Sequence, residues 1–71
     1  MGQRRTNIIP KAPVARILMK SGAKRVSSDA ATIFAEVLEE IAEDIATQAV
    51  KISIHSGRKT VHEGDVKLAA K

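Results

Sequence analysis

The chain has 71 residues and a formal net charge of +4 at pH 7, with twelve Lys and Arg residues against eight Asp and Glu residues. It has one aromatic residue, Phe34, and no cysteine, which excludes a base-stacking platform for single strands and a disulfide framework. A chain of this size buries only about 60% of the surface that its unfolded form exposes. We therefore expect a partner chain to complete the core.

The charges are sorted along the chain. Residues 1–25 carry seven basic and no acidic side chains, 26–50 carry six acidic and no basic ones, and 51–71 carry five basic and two acidic ones. Soluble surfaces usually intersperse the two signs, so this order predicts separate charged patches. No apolar run approaches the roughly 18 residues of a transmembrane helix, and we expect no membrane span and no membrane partner.

Helix signals begin at Pro13, which suits a first helical position because proline lacks the N–H that this position leaves unpaired. Apolar side chains then recur every three to four residues, with Arg16 and Lys20 on another face. Gly22 follows this pattern, and a glycine at that place is typical of the end of a helix. The pattern predicts a short amphipathic helix over about 13–21.

The second predicted helix is long. Ser27 or Ser28 is its candidate N-cap, and no Gly or Pro follows until Gly57. An apolar stripe runs along it, made of Ile33, Phe34, Val37, Leu38, Ile41, Ile45, Ala49 and Ile52. A helix over 29–56 is about 42 Å long, more than two short helices can cover, so the stripe predicts pairing with a second copy.

The rest of the chain predicts a short extended stretch over 58–61, His62 as a cap, and a final short helix from about Glu63. Gly64 weakens that helix by about 1 kcal/mol relative to alanine. The predicted fold is all-α, with a short, a long and a short helix. Residues 1–7 carry no packing signal, and we expect a flexible basic tail there, ahead of one domain over 8–71.

Antiparallel pairing of two long helices would place the start of one near the end of the other. The segments that flank the long helix are basic, and the first helix adds charge between them. The residues concerned are Arg16, Lys20, Lys24, Arg25, Arg58, Lys59 and Thr60. Gathered on one surface, they are typical of a protein that binds a nucleic-acid phosphate backbone.

These segments resemble the archaeal histones, minimal histone-fold proteins related to the eukaryotic core histones. The matches cover about residues 8–70 and include Gly22-Ala23-x-Arg25-Val26-Ser27-x-Asp29-Ala30, His55-x-Gly57-Arg58-Lys59-Thr60 and Asp65-x-x-Leu68-Ala69. The resemblance implies a histone fold in an intertwined antiparallel dimer. It also implies an architectural chromatin protein that wraps double-stranded DNA through phosphates and minor-groove arginines, with little sequence specificity, and that is cytoplasmic and associated with the chromosome.

The resemblance also implies roles for individual residues. Arg16, Arg25, Lys59 and Thr60 match DNA contacts of the family, and we add Lys20 and Lys24 from the charge pattern. By resemblance, Arg58 pairs with Asp65 to brace the loop before the last helix. The residues that would join two dimers are Ile52, His55, Asp65 and Leu68. The expected partners are duplex DNA and a second copy or a paralogous histone, with tetramers or longer stacks on DNA as further assemblies.

Plainer interpretations remain open beside these. The basic residues could be ordinary surface charges, Thr60 a turn residue, and His55 an exposed side chain favoured by the helix dipole. The acidic run over 36–44 is most simply a solvated helix face and not a metal or acid–base site. No nucleophile–base pair or ligand-spaced His cluster stands out, so we expect no enzyme activity, catalytic residue, cofactor or metal.

The competing function is a histone-fold interaction module in a transcription-factor-like complex. Its job would be to pair with another protein and not to wrap DNA. The joint presence of Arg16, Arg25, Lys59 and Thr60 favours DNA binding.

Overall fold

The computed structural model describes residues 8–71, which form three helices joined by two loops. Helix α1 spans Lys11–Lys20, α2 spans Ser28–His55 and α3 spans Glu63–Ala69. No strand forms in this described part of the chain, so the predicted all-α order of short, long and short helices is confirmed. The predicted tail over 1–7 lies outside the described residues.

Helix α1 begins two residues earlier than predicted. Its first residue is Lys11, and Pro10 precedes it as the N-cap with extended backbone, φ −67° and ψ 152°. Pro13 therefore occupies the third helical position, and the prediction that it occupies the first is wrong. The helix tolerates proline there because the first four N–H groups have no partner within a helix.

Helix α2 is 28 residues long and crosses a division of the chain into two compact units, between Glu39 and Glu40. The buried apolar residues of the first unit are Val14, Ala31 and Ala35, which are at most 4% exposed. The second unit buries Ala49 together with two polar residues, Ser53 and Asp65. Both cores consist of few and mostly small side chains.

Most of the apolar stripe on α2 is not buried within the chain. Of its members only Ala49 is buried, whereas Ile33, Val37 and Ile41 are 57%, 44% and 50% exposed. Contiguous exposed apolar surface of this kind marks a protein interaction site. The stripe is therefore exposed for pairing over 33–41, and its other members Phe34, Leu38, Ile45 and Ile52 are half-buried.

The interpretation of the acidic run as a solvated face is wrong for Glu39, which is 5% exposed. Its neighbours Glu40 and Glu43 are exposed. Glu39 follows the buried Ala35 by four residues, as Ala35 follows the buried Ala31, so it continues their row along one side of the helix.

None of the helices in the described residues combines the length and the hydropathy that a membrane crossing needs.

Candidate nucleic-acid interface

The first basic loop, residues 21–27, joins α1 to α2 and carries the exposed side chains of Lys24 and Arg25. Its far end is fixed by Ser27, whose Oγ accepts a hydrogen bond from the N–H of Ala30 at 3.0 Å. This bond satisfies one of the unpaired N–H groups at the start of α2. Of the two predicted candidates, Ser27 is therefore the N-cap.

The near end of the first basic loop is a Schellman motif. The N–H of Gly22 donates to the carbonyl of Met19 at 3.0 Å, and the N–H of Ala23 donates to that of Leu18 at 3.1 Å. Gly22 has a φ of 119°, which side chains with a Cβ rarely adopt. The prediction that this glycine ends the helix is confirmed.

Helix α1 presents two further cations. Arg16 and Lys20 are exposed and lie one turn apart, where they line an open groove of about 460 Å³ with Pro13 and Ile17. At the other end of this helix, the Nζ of Lys11 donates to the Oγ of Ser28 at 3.2 Å. That bond links the start of α1 to the start of α2.

The second basic loop, residues 56–62, follows a helix end of the same type. The N–H of Gly57 donates to the carbonyl of Ile54 at 2.9 Å, and the N–H of Arg58 donates to that of Ser53 at 3.0 Å. Gly57 has a φ of 76°, in the left-handed region. Both ends of this loop are thus set by helix termini, because α3 begins directly after it.

Lys59 and Thr60 lie in the middle of the second basic loop, and both are exposed. The backbone bends at these two residues, so the expectation of an extended stretch over 58–61 is wrong. The bend is held by polar contacts to the carbonyl of Thr60, which sequence patterns do not reveal.

One of those contacts comes from Arg58, which forms a bidentate ion pair with Asp65. Nη1 donates to Oδ2 and Nη2 donates to Oδ1, both at 2.9 Å. Nη1 also donates to the carbonyl of Thr60 at 3.1 Å. The guanidinium therefore ties the loop backbone to the first turn of α3, with the planar geometry that suits arginine and carboxylate.

Asp65 is 4% exposed and is the third residue of α3. Besides Arg58, its Oδ2 accepts the N–H of His62 at 2.8 Å, and His62 is the predicted cap of this helix. The hydrogen bonds from Arg58 and then from the His62 N–H hold the pKa of the Asp65 carboxyl well below its usual range. The same ion pair raises the pKa of Arg58.

Sequence reasoning missed a second contact, made by Ser53. This residue is 2% exposed, and its Oγ donates to the carbonyl of Thr60 at 3.0 Å, with a longer approach of 3.3 Å to the carbonyl of Arg58. The signal that could have revealed it was its spacing. Ser53 is a polar residue four positions after the buried Ala49 and four before the helix stop at Gly57.

The four residues predicted to join two dimers occupy different environments. Ile52 is partly buried, His55 is exposed, and Leu68 is 57% exposed. Asp65 is buried, and both of its carboxylate oxygens already accept hydrogen bonds within the chain. Their contact with a second dimer stays a prediction.

The exposed donors of the two loops are ammonium, guanidinium and hydroxyl groups, on Lys24, Arg25, Lys59 and Thr60. Such groups bind phosphate oxygens, and contacts to phosphate carry no information about base sequence. Among residues 8–71, no three His, Cys, Asp or Glu side chains are grouped so that they could hold a metal ion.

Comparison with known proteins gives concordant matches. A family model described as "Histone-like transcription factor (CBF/NF-Y) and archaeal histone" matches residues 7–70. The chain is 54% identical over 61 residues to "Probable archaeal histone 3" of Methanocaldococcus jannaschii, covering 86% of this chain and 91% of that protein. It is 49% identical over 63 residues to a subunit of the archaeal histone HAN1 of Thermococcus zilligii, covering 89% and 94%. The chain therefore belongs to the family of histone-like transcription factors and archaeal histones.

Proposed function

We propose that this protein is an architectural chromatin protein that binds and wraps double-stranded DNA as a dimer, with little sequence specificity, and so associates with the chromosome. The observation that carries the proposal is the second basic loop. Its exposed Lys59 and Thr60 lie on a backbone that Arg58 and Asp65 hold in place. A cation and a hydroxyl carried on a fixed backbone suit the regular spacing of phosphates on a duplex.

The proposed DNA contacts are Arg16, Lys20, Lys24, Arg25, Lys59 and Thr60. The lysines neutralise phosphates, and the hydroxyl of Thr60 donates to a phosphate oxygen. The arginines suit the narrow and strongly negative minor groove. The N-terminal ends of α1 and α2 add the attraction of a helix dipole for phosphate.

Dimer formation is supported by the exposed apolar stripe of α2. Two such helices paired in antiparallel orientation would bury the stripe and bring the first basic loop of one copy beside the second basic loop of the other. We propose a homodimer, with a paralogous histone as the other possible partner. Dimers would join through Ile52, His55, Asp65 and Leu68 into tetramers or longer stacks on DNA.

The dimer has a direct test in solution. Ile41→Glu places a charge on the stripe at a residue that is 50% exposed in the single chain, so we expect monomers by sedimentation equilibrium. Lys51→Glu changes an exposed residue of the same helix and is expected to leave the dimer intact. Equal behaviour of the two variants would contradict pairing through the stripe.

DNA wrapping is tested by titrating the protein onto random-sequence duplex DNA across a salt series. We expect the affinity to fall steeply with salt, because binding releases counterions, and nuclease digestion to leave a ladder of protected fragments. Absence of binding at low salt would overturn the proposal.

The second candidate is a protein–protein interaction module of a transcription-factor-like complex. It is favoured by the matching family model, which covers histone-like transcription factors as well as archaeal histones. This candidate predicts dimers through the α2 stripe but no binding of random duplex DNA at low salt. The DNA titration therefore separates it from the first candidate, whereas the dimer test has the same expected outcome for both.

A further inference from the structure

We infer that Ser53 is a positioning residue for DNA binding: it acts from inside the last turn of α2 by fixing the carbonyl of Thr60. The inference rests on the proposed function, because Lys59 and Thr60 are the groups whose placement it sets. Ser53 itself is 2% exposed and does not contact DNA in this proposal.

Ser53 contacts the second basic loop through both its backbone and its side chain. Its carbonyl accepts the N–H of Arg58 at 3.0 Å, which closes the helix end. Its Oγ donates to the carbonyl of Thr60 at 3.0 Å and lies 3.3 Å from the carbonyl of Arg58. One residue of α2 therefore holds the backbone on both sides of Lys59.

The carbonyl of Thr60 accepts two donors, one from α2 and one from the loop itself. Ser53 supplies the first, and Arg58 supplies the second at 3.1 Å while it is itself held by Asp65 of α3. A carbonyl oxygen has two lone pairs, so this pair of bonds satisfies it fully. Without the serine hydroxyl the carbonyl keeps one partner, so the loop should loosen while the fold persists.

The residue that the two fixed carbonyls flank is Lys59. Its side chain is exposed and has no hydrogen-bond or ion-pair partner among residues 8–71. The chain thus fixes the backbone on both sides of Lys59, although the ammonium group of this residue contacts no partner among residues 8–71. This arrangement suits the binding of an external anion, such as a DNA phosphate, by Lys59. A role of Ser53 in stabilising the fold alone would not require an exposed cation at this position.

The test compares three full-length variants by affinity for random duplex DNA. Ser53→Ala removes only the hydroxyl and is expected to weaken binding about threefold to tenfold, the equivalent of one net hydrogen bond. Ser53→Cys keeps the side-chain shape with a slightly larger and weaker donor, so an intermediate affinity is expected. Thr47→Val is the control, because it deletes a hydroxyl that donates at 2.9 Å to the carbonyl of Glu43, away from the loop.

A double-mutant cycle distinguishes positioning of Lys59 and Thr60 by Ser53 from a general role of Ser53 in stability. In a Lys59→Ala, Thr60→Ala background, Ser53→Ala should cause almost no further loss of affinity, since the groups it positions are gone. A loss that persists undiminished in that background would overturn the inference. So would an affinity within twofold of the unmodified protein for Ser53→Ala alone.

NMR relaxation of the backbone in the free protein tests whether Ser53 orders the second basic loop, and it needs no measurement of DNA binding. Ser53→Ala should lower the order parameters at Lys59 and Thr60 and leave those at Lys24 and Arg25 unchanged. If the unmodified protein fails to bind DNA, the proposed function fails, but these order parameters still decide whether Ser53 orders the loop. Unchanged order parameters would show that it does not.

Discussion

The two basic loops begin alike and are held differently. Each follows a helix that ends at a glycine with positive φ, Gly22 or Gly57, and each carries exposed cations. The hydrogen bonds that place the first loop lie at its two ends, in the Schellman motif and in the Ser27 cap. The second loop has, in addition, side-chain bonds to its interior from Ser53 and Arg58.

A basic loop can thus be held in position in two ways. Caps and turns place the first loop by local backbone preference, which depends on neighbouring residues in the sequence. The second loop depends on a buried carboxylate, on Asp65, and on a buried hydroxyl, on Ser53. We therefore expect the second loop to be the more sensitive to single substitutions and to acid.

Asp65→Asn should destabilise the protein more than any other substitution considered. The amide cannot accept both bonds from Arg58, so the guanidinium loses its charged partner and α3 loses one of its two first-turn carboxylates. We expect the melting temperature, measured by circular dichroism, to fall on the order of 10 °C. The matched control is Asp29→Asn in the first turn of α2, an exposed residue, for which only a small change is expected. Equal losses would contradict the difference between the loops.

The same ion pair predicts how stability depends on pH. Because the folded state lowers the pKa of Asp65, its contribution is complete above the ordinary carboxyl pKa of about 3.9 and is lost as the pH falls below it. The gap in melting temperature between the unmodified protein and Asp65→Asn should therefore be widest above about pH 5 and should narrow toward pH 2. A gap that stayed constant over this range would exclude the charged carboxylate as its source.

Removing a cation from either basic loop should weaken DNA binding. Arg25→Ala and Lys59→Ala are each expected to weaken binding to all duplex sequences alike and to reduce the salt slope by about one per lost phosphate contact. Lys67→Ala, an exposed lysine of α3 outside the proposed interface, serves as the control. A changed sequence preference in either loop variant would indicate direct readout of bases instead.

The two glycines should differ in their tolerance of asparagine. A φ of 76° at Gly57 is close to the left-handed conformation that asparagine adopts, whereas 119° at Gly22 lies outside it. Gly57→Asn should thus lower the free energy of unfolding by less than about 1 kcal/mol, and Gly22→Asn by roughly 1–2 kcal/mol. Denaturant titration measures both values, and the reverse order would show that side-chain contacts outweigh backbone strain.

The smallest effect is expected at Gly64. It is the second residue of α3, its φ is not positive, and a Cβ built there has no neighbouring heavy atom within 4 Å. Gly64→Ala should therefore raise the free energy of unfolding by no more than about 1 kcal/mol, the figure for a helix interior. Denaturant titration measures this value too, and a loss of stability would contradict open space at this position.

Local signals explain why the helices could be predicted. Ser27, Gly22 and Gly57 act on the backbone within a few residues of themselves, so their effect is visible in the sequence. The start of α1 escaped prediction because proline is tolerated at several positions of a first turn, and Pro13 alone does not specify which.

Residue patterns along the chain were enough to predict the three helices, the sorting of charge onto the loops between them, and an apolar stripe too long for the chain to cover. Those features follow from local preference and from residue spacing. Folding alone brings Ser53 and Arg58 together on one carbonyl, and it buries Glu39 while Glu40 and Glu43 stay exposed. Sequence patterns do not show these features, because burial and shared acceptors depend on which groups meet after the chain has folded.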